Sequence, residues 1–194
     1  CIIDDDVVCR ASKDEIIRRY YVAMCDNRKG LVSEDEVYKL ELLLKQANVT
    51  IDERKVVGAA LEREKETNAP AAAMELPDGT ILTGRTSNLL GASSALLLNA
   101  LKYFGGISDD VLLMSPHVIE PIQNLKVQHL GNNNPRLHTD ETLLALSICA
   151  NTDPNAKKAM EQISKLRGCE VHSTVILSAV DERIFKRLGV NLTC

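Results

Sequence analysis

A three-layer α/β domain with a mixed sheet, preceded by a small all-α subdomain, is the fold this sequence predicts, and three observations predict it. Residues 7–61 carry apolar positions at helical spacing on a charged background, with short connections. Beyond Thr67-Asn68-Ala69-Pro70, strand-like and helix-like segments interleave. At the junction, Met74 to Phe104 reads as a strand, a tight turn, a strand and a helix apolar almost all round, the pattern of a helix covered on most sides by its domain. The helical subdomain is therefore set at 1–69 and the α/β subdomain at 70–194.

Taken in order, Ser12 is the expected cap before Lys13-Asp14-Glu15, and Ser33 with Glu36 gives a capping-box signature before the next helix. A third helix is expected from about Asp52 to Lys65. Pro77-Asp78-Gly79 supplies a preset φ, a side chain that bonds its own backbone and a residue tolerant of positive φ, so a hairpin follows. The central helix is expected from near Ser87 to Gly105-Gly106, and Val111 to Met114 as a short buried strand. His117 to Leu130 reads as helical with a break or kink at Pro121. Thr139 is read as a cap, and Asp153-Pro154 as the start of a helix through Leu166 that Gly168 stops. A strand over Glu170 to Leu177, a helix opened by Ser178 and Asp181 and ended by Gly189, and an edge strand over 190–193 complete the chain.

With 194 residues the chain can bury a core without disulfide or metal staples. A formal charge of −4 gives no general attraction to nucleic acid or an anionic membrane, so neither partner is expected. Six scattered cysteines without CxxC spacing, no signal segment and no apolar run of spanning length point to reduced thiols and the cytoplasm. Cys1-Ile2-Ile3 reads as the middle of a longer chain.

Gly79 to Thr86 matches the spacing of a phosphate loop, with Arg85 in the lysine position. Its context argues against one, because Gly79 ends a turn and Thr80 to Thr83 reads as the strand itself. A weaker anion site survives at the start of the central helix, with Arg85, Thr86 and Ser87 as candidate ligand-binding residues. The plainer account is a capped helix with a solvent-facing arginine. His117 and Glu120, three apart, suit an acid/base pair. Exposure accounts for His117 more simply, which leaves Glu120 as the candidate, with Lys126 further along its face. The run Asn132 to His138 gathers three amides, Arg136 and His138 before a helix. A shaped turn is its plain reading; the functional one makes Asn134 and Arg136 ligand contacts and His138 an acid/base. Cys169 and His172 sit an odd number apart on a strand and face opposite ways, and Cys149 and His138 add no zinc spacing. No metal or other cofactor is expected.

The order hairpin, helix, strand ending in Ser-Pro, helix is similar to the cytidine-deaminase-like layout, whose two helices carry H/C-x-E and P-C-x-x-C. This chain has Gly91-Ala92-Ser93-Ser94-Ala95 and Pro116-His117-Val118-Ile119-Glu120 there, so the zinc ligands are missing. A closer resemblance rests on Glu15 to Tyr21, Leu76 to Ser93, Ser115 to Lys126, Asn134 to Ala150 and Arg167 to Glu182. These runs resemble the C-terminal portion of the bacterial domain-of-unknown-function family 1846, or uncharacterised protein family 0371. The resemblance implies longer members, with an N-terminal α/β part bearing a glycine-rich, phosphate-loop-like run, and no assigned catalytic residues.

Two readings stay open, and the sequence does not decide whether the protein is an enzyme. In the first, a pocket at the strand ends takes a small anionic, phosphorylated or nucleotide-like molecule. In the second, the chain is an assembly module forming a homo-oligomer or packing on an N-terminal portion, with Arg18-Arg19-Tyr20-Tyr21 as anchors.

Overall fold

The computed structural model describes residues 4–194; the Cys1-Ile2-Ile3 start lies outside the described residues. Helix α1 (Asp5–Arg28) packs on α2 (Glu34–Gln46) through Ile17, Leu44 and Val49. Asp4 caps α1, accepting from the Val7 N–H at 3.1 Å, and Ser12 lies inside the helix. The first acidic turn, Asp5 and Asp6, suits the positive end of the macrodipole, which is why the helix starts earlier than a cap at Ser12 implies. Ser33 stands at the N-cap of α2 without a side-chain capping bond. Helix α3 (Lys55–Thr67) follows a 3₁₀ turn at Ile51–Glu53.

The sheet is mixed, in the order β2-β1-β3-β4. Strands β1 (Ala71–Glu75) and β2 (Ile81–Arg85) form the expected hairpin, with Gly79 at φ +85°. Strand β3 (Glu170–Ser173) runs antiparallel to β1 and parallel to the short edge strand β4 (Asn191–Thr193). Alternation along β1 divides the core in two. Ala72 and Met74 join Leu96, Leu97 and Leu101 of α4 (Ala92–Gly105), while Ala73 meets Val56 and Ala60 of α3. Helix α3 is thus one outer layer of the sandwich, since its small-residue face fits the alanines of β1. On the α4 side β2 presents Gly84, whose missing side chain lets Ala92 and Leu96 of α4 approach backbone to backbone.

The remaining helices are α5 (Pro116–Asn124), α6 (Thr139–Cys149), α7 (Pro154–Met160) and α8 (Ala179–Leu188). Pro121 is accommodated inside α5, which gives way to a π-helical turn at Leu125–His129. The strand expected to reach Leu177 stops at Ser173, and three more expectations need correction. Helix α4 starts at Ala92 instead of near Ser87, because the Ser87 hydroxyl accepts from the N–H groups of Leu89 and Leu90 and holds a turn there. Val111 to Met114 is irregular: Leu113 and Met114 fill the core while Leu112 is 68% exposed, and β1 already has partners on both edges. The helix expected through Leu166 ends at Met160 and resumes as a 3₁₀ turn at Ile163–Leu166. Among the described residues, no helix is long and apolar enough to cross a membrane.

Candidate functional site

A cleft of about 220 Å³ opens beyond the carboxyl ends of β2 and β3, the edge of an α/β sheet where ligands commonly bind. The amino ends of three helices meet there. Gly91, Ala92 and Ser93 bring the start of α4, His138 the start of α6, and Ser178 with Asp181 the start of α8. Their placement follows from local pairing. Leu137 N–H donates to Leu89 O at 3.0 Å, and the Ser94 hydroxyl donates to Leu137 O at 3.0 Å, so the strand-like stretch before α6 is laid against the start of α4.

Asp181 is the buried centre of the site, 4% exposed. One carboxylate oxygen accepts from the Thr139 N–H and hydroxyl, each at 2.9 Å. The other accepts from Ser178 Oγ at 2.8 Å and lies 2.9 Å from His138 Nδ1. Burial pushes this carboxyl up, but the bonds from Thr139, His138 and Ser178 outweigh it and hold the pKa below the ordinary carboxylate value. Because Asp181 remains ionised it accepts, and His138 Nδ1 is the donor; Nε2 has no hydrogen-bond partner among the described residues. Ser178 lies on the carboxylate side of the ring, 3.5 Å from Nδ1. A serine nucleophile must face the basic nitrogen, so the arrangement does not have the geometry of an acyl-transfer triad.

Arg136 is the cation of the cleft. Its Nε donates to Ser87 O at 2.7 Å, which fixes the guanidinium and leaves both Nη groups without partners among the described residues.

Family models match both parts of the chain: "Domain of unknown function DUF1846, N-terminal" over residues 1–48 and "Domain of unknown function DUF1846, C-terminal" over 52–194. The chain belongs to the DUF1846 family. It is 50% identical over 193 residues to a UPF0371 protein of Corynebacterium urealyticum, 51% over 192 to one of Corynebacterium efficiens, and 46% over 192 to one of Streptococcus pneumoniae. These alignments cover 100%, 98% and 99% of the chain but 39% of each relative, so the chain spans about two fifths of their length.

Within this DUF1846 chain, the candidates from sequence fall into two groups. Thr86, Asn134, Arg136 and His138 line the cleft together. Asn134 also shapes its loop, accepting from the Arg136 N–H at 3.2 Å. Ser87 stands just behind, as the acceptor for Arg136. Arg85 is exposed outside the cleft, with one 3.5 Å bond to Thr86 O. Glu120 and His117 are exposed on α5, away from it. Lys126 is 2% exposed and buried beneath it, bonding Arg136 O at 2.7 Å and Glu141 at 2.6 Å. Ser93, Ser178 and Asp181 were not candidates. The last two carry a signal in their Ser-x-x-Asp spacing, which reads as a cap, and nothing in sequence joins them to His138 forty residues earlier.

A larger cleft of about 640 Å³ lies between α1, α8 and β4. Three of its cations are paired, Lys29 to Glu182 at 2.7 Å, Arg18 to Glu170 at 2.8 Å and Arg19 to Glu15 at 2.8 Å, and the sulfurs of Cys25 and Cys194 lie 3.5 Å apart in it, the bond from Cys25 pulling the pKa of the Cys194 thiol down to about 7. The buried guanidinium of Arg54 adds bonds to Glu170, Val171 O and Asn191 O alongside, which ties α3 to the sheet edge. Tyr21 is likewise spent inside the fold, edge-on to His172 at 5.1 Å.

Proposed function

We propose that the cleft binds a small anionic molecule, phosphorylated or nucleotide-like, and that His138 transfers a proton on it. The observation that carries this reading is the imidazole held by buried Asp181 with its second nitrogen unpartnered at a cleft wall. Asp181 fixes the ring's orientation and tautomer and stabilises the imidazolium when Nε2 takes a proton. Arg136, anchored through Nε, offers its free Nη pair to the anion, and Thr86 and Asn134 are the adjoining polar contacts. Of the cytidine-deaminase-like layout the hairpin leading into α4 and a cleft at this helix start are present, whereas the strand ending in Ser115-Pro116 is not formed.

A thermal-shift screen of the protein against phosphate, nucleotides, nucleosides and sugar phosphates tests the reading. A ligand that binds only the native state raises Tm by mass action. The expected result is stabilisation that Arg136→Ala and His138→Ala each remove. A stabilising ligand indifferent to both would refute it.

A homo-oligomer is the second reading, favoured by one observation. Leu144 and Ile148, one turn apart on the outer face of α6, are 66% and 65% exposed. Light scattering should then report a multimer that Leu144→Lys dissociates, and a monomeric parent would end this reading.

A further inference from the structure

We infer that the α4 end of the cleft is a phosphate subsite, and that its ligand is a small phosphate monoester. The inference rests on the binding-and-proton-transfer reading and narrows it. Ser93 supplies the independent sign: the residue is only 5% exposed, it lines the cleft, and its hydroxyl has no hydrogen-bond partner among the described residues. The oxygen is not sealed inside the protein: it opens onto the cleft and is free to donate to or accept from whatever occupies that space. Its neighbour Ser94, fully buried, is satisfied by Leu137 O at 3.0 Å, so the difference lies in which side chain faces the cleft.

The donors around Ser93 fit one kind of group. Helix α4 has fourteen residues, and its N-cap is Gly91, which provides no side-chain capping bond. The first-turn N–H groups of Ala92 and Ser93, two residues that line the cleft, are therefore without a side-chain cap at the positive end of the dipole. By contrast, Ser178 caps α8 by accepting from the Asp181 N–H at 3.2 Å, and Asp181 accepts from the first N–H of α6 at 2.9 Å. Arg136 lines the same cleft, with Nε bonded to Ser87 O and its two Nη groups without partners among the described residues. Two backbone N–H groups, a hydroxyl and a forked guanidinium are more donors than a carboxylate's two oxygens take up, and they suit the three terminal oxygens of a phosphate ester. Asp181 does not oppose the anion as a bare charge, because four donors already surround its two oxygens.

Size narrows the class further. At about 220 Å³ the cleft is smaller than the roughly 300–1,000 Å³ typical of sites that enclose drug-sized ligands. It encloses a phosphate group with a few attached atoms, and the ester oxygen then lies on the side of His138, where Nε2 can donate to it once the ring is protonated.

The test is a titration of the protein labelled at histidine, followed at the His138 ring by NMR, with methyl phosphate, acetate and methanol as probes. Methyl phosphate should shift the His138 resonance saturably, with acetate at least about tenfold weaker. Ser93→Ala should weaken methyl phosphate about tenfold, as expected for losing a hydrogen bond to a charged group. Arg136→Gln should weaken it further; it changes a partly exposed side chain and serves if Ser93→Ala does not fold. If acetate or methanol moves His138 and methyl phosphate does not, or if both variants bind methyl phosphate as the parent does, the phosphate subsite is overturned while the proton-transfer cleft stands. If no probe moves His138, both fall.

Discussion

Replacing Gly84 by alanine should be among the most damaging single-methyl additions in the chain. A Cβ at that position would lie 2.3 Å from Leu96 N, 2.6 Å from Leu96 Cα and 2.8 Å from Ala92 O. Comfortable contact between such atoms is about 3.5–4.0 Å, so β2 and α4 would have to separate by about an ångström. No rotamer can absorb the clash, because every atom met is backbone. Overpacking costs typically about 1–3 kcal/mol, and a clash with two fixed backbones belongs at or above the top of that range. For a domain of this size, about 3 kcal/mol lowers Tm by roughly 6–12 °C. Since Ala92 and Leu96 belong to the helix whose start walls the cleft, ligand binding should weaken in the same variant. The assay is urea denaturation of Gly84→Ala beside Gly58→Ala. Gly58 lies within α3 with nothing within 4 Å of a built Cβ, and there alanine should stabilise by about 0.5–1 kcal/mol. A Gly84→Ala protein within about 0.5 kcal/mol of the parent would refute the close-approach argument.

Two further outcomes follow from buried charges. Burial first, with the nearby Arg54 charge adding to it, depresses the His172 pKa from 6.5 to about 4. The unfolded chain takes up this proton below pH 6.5 and the native state does not, so stability should fall between pH 6.5 and 4 by roughly 3 kcal/mol from this group alone; urea midpoints against pH should lose that slope in His172→Gln. Lys126→Met removes the ion-pair partner of Glu141, and since that carboxylate keeps some solvent and the His138 N–H the cost should be about 2 kcal/mol by denaturation, with ligand affinity weakened because Lys126 also holds Arg136 O.

How far the sequence revealed all this depended on whether a residue's role was local. Pro77-Asp78-Gly79 and Asp153-Pro154 carry their conformations in their own chemistry, and both formed a turn and a helix start where expected. The apolar run Val111 to Met114 does not specify a strand, because burial of Leu113 and Met114 needs no ladder and the sheet fills its places with residues from the far end of the chain. At the cleft, Arg136 and His138 drew attention by residue type. Asp181 did not, because a Ser-x-x-Asp helix start has a complete local explanation, and its second use depends on α6 arriving from forty residues away. Lys126 reads as a ligand contact on a helical wheel, yet the π turn swings it inward to Glu141.

The most direct test of the account is the tautomer of neutral His138, read from the ¹⁵N shifts of its two ring nitrogens in the parent and in Asp181→Asn. In water a neutral imidazole side chain carries its proton mainly on Nε2, whereas the bond to Asp181 requires it on Nδ1. The account predicts a protonated Nδ1 and a bare Nε2 in the parent, with that preference weakened in Asp181→Asn. A proton on Nε2 in the parent would contradict it, since the ring would then present no basic nitrogen to the cleft.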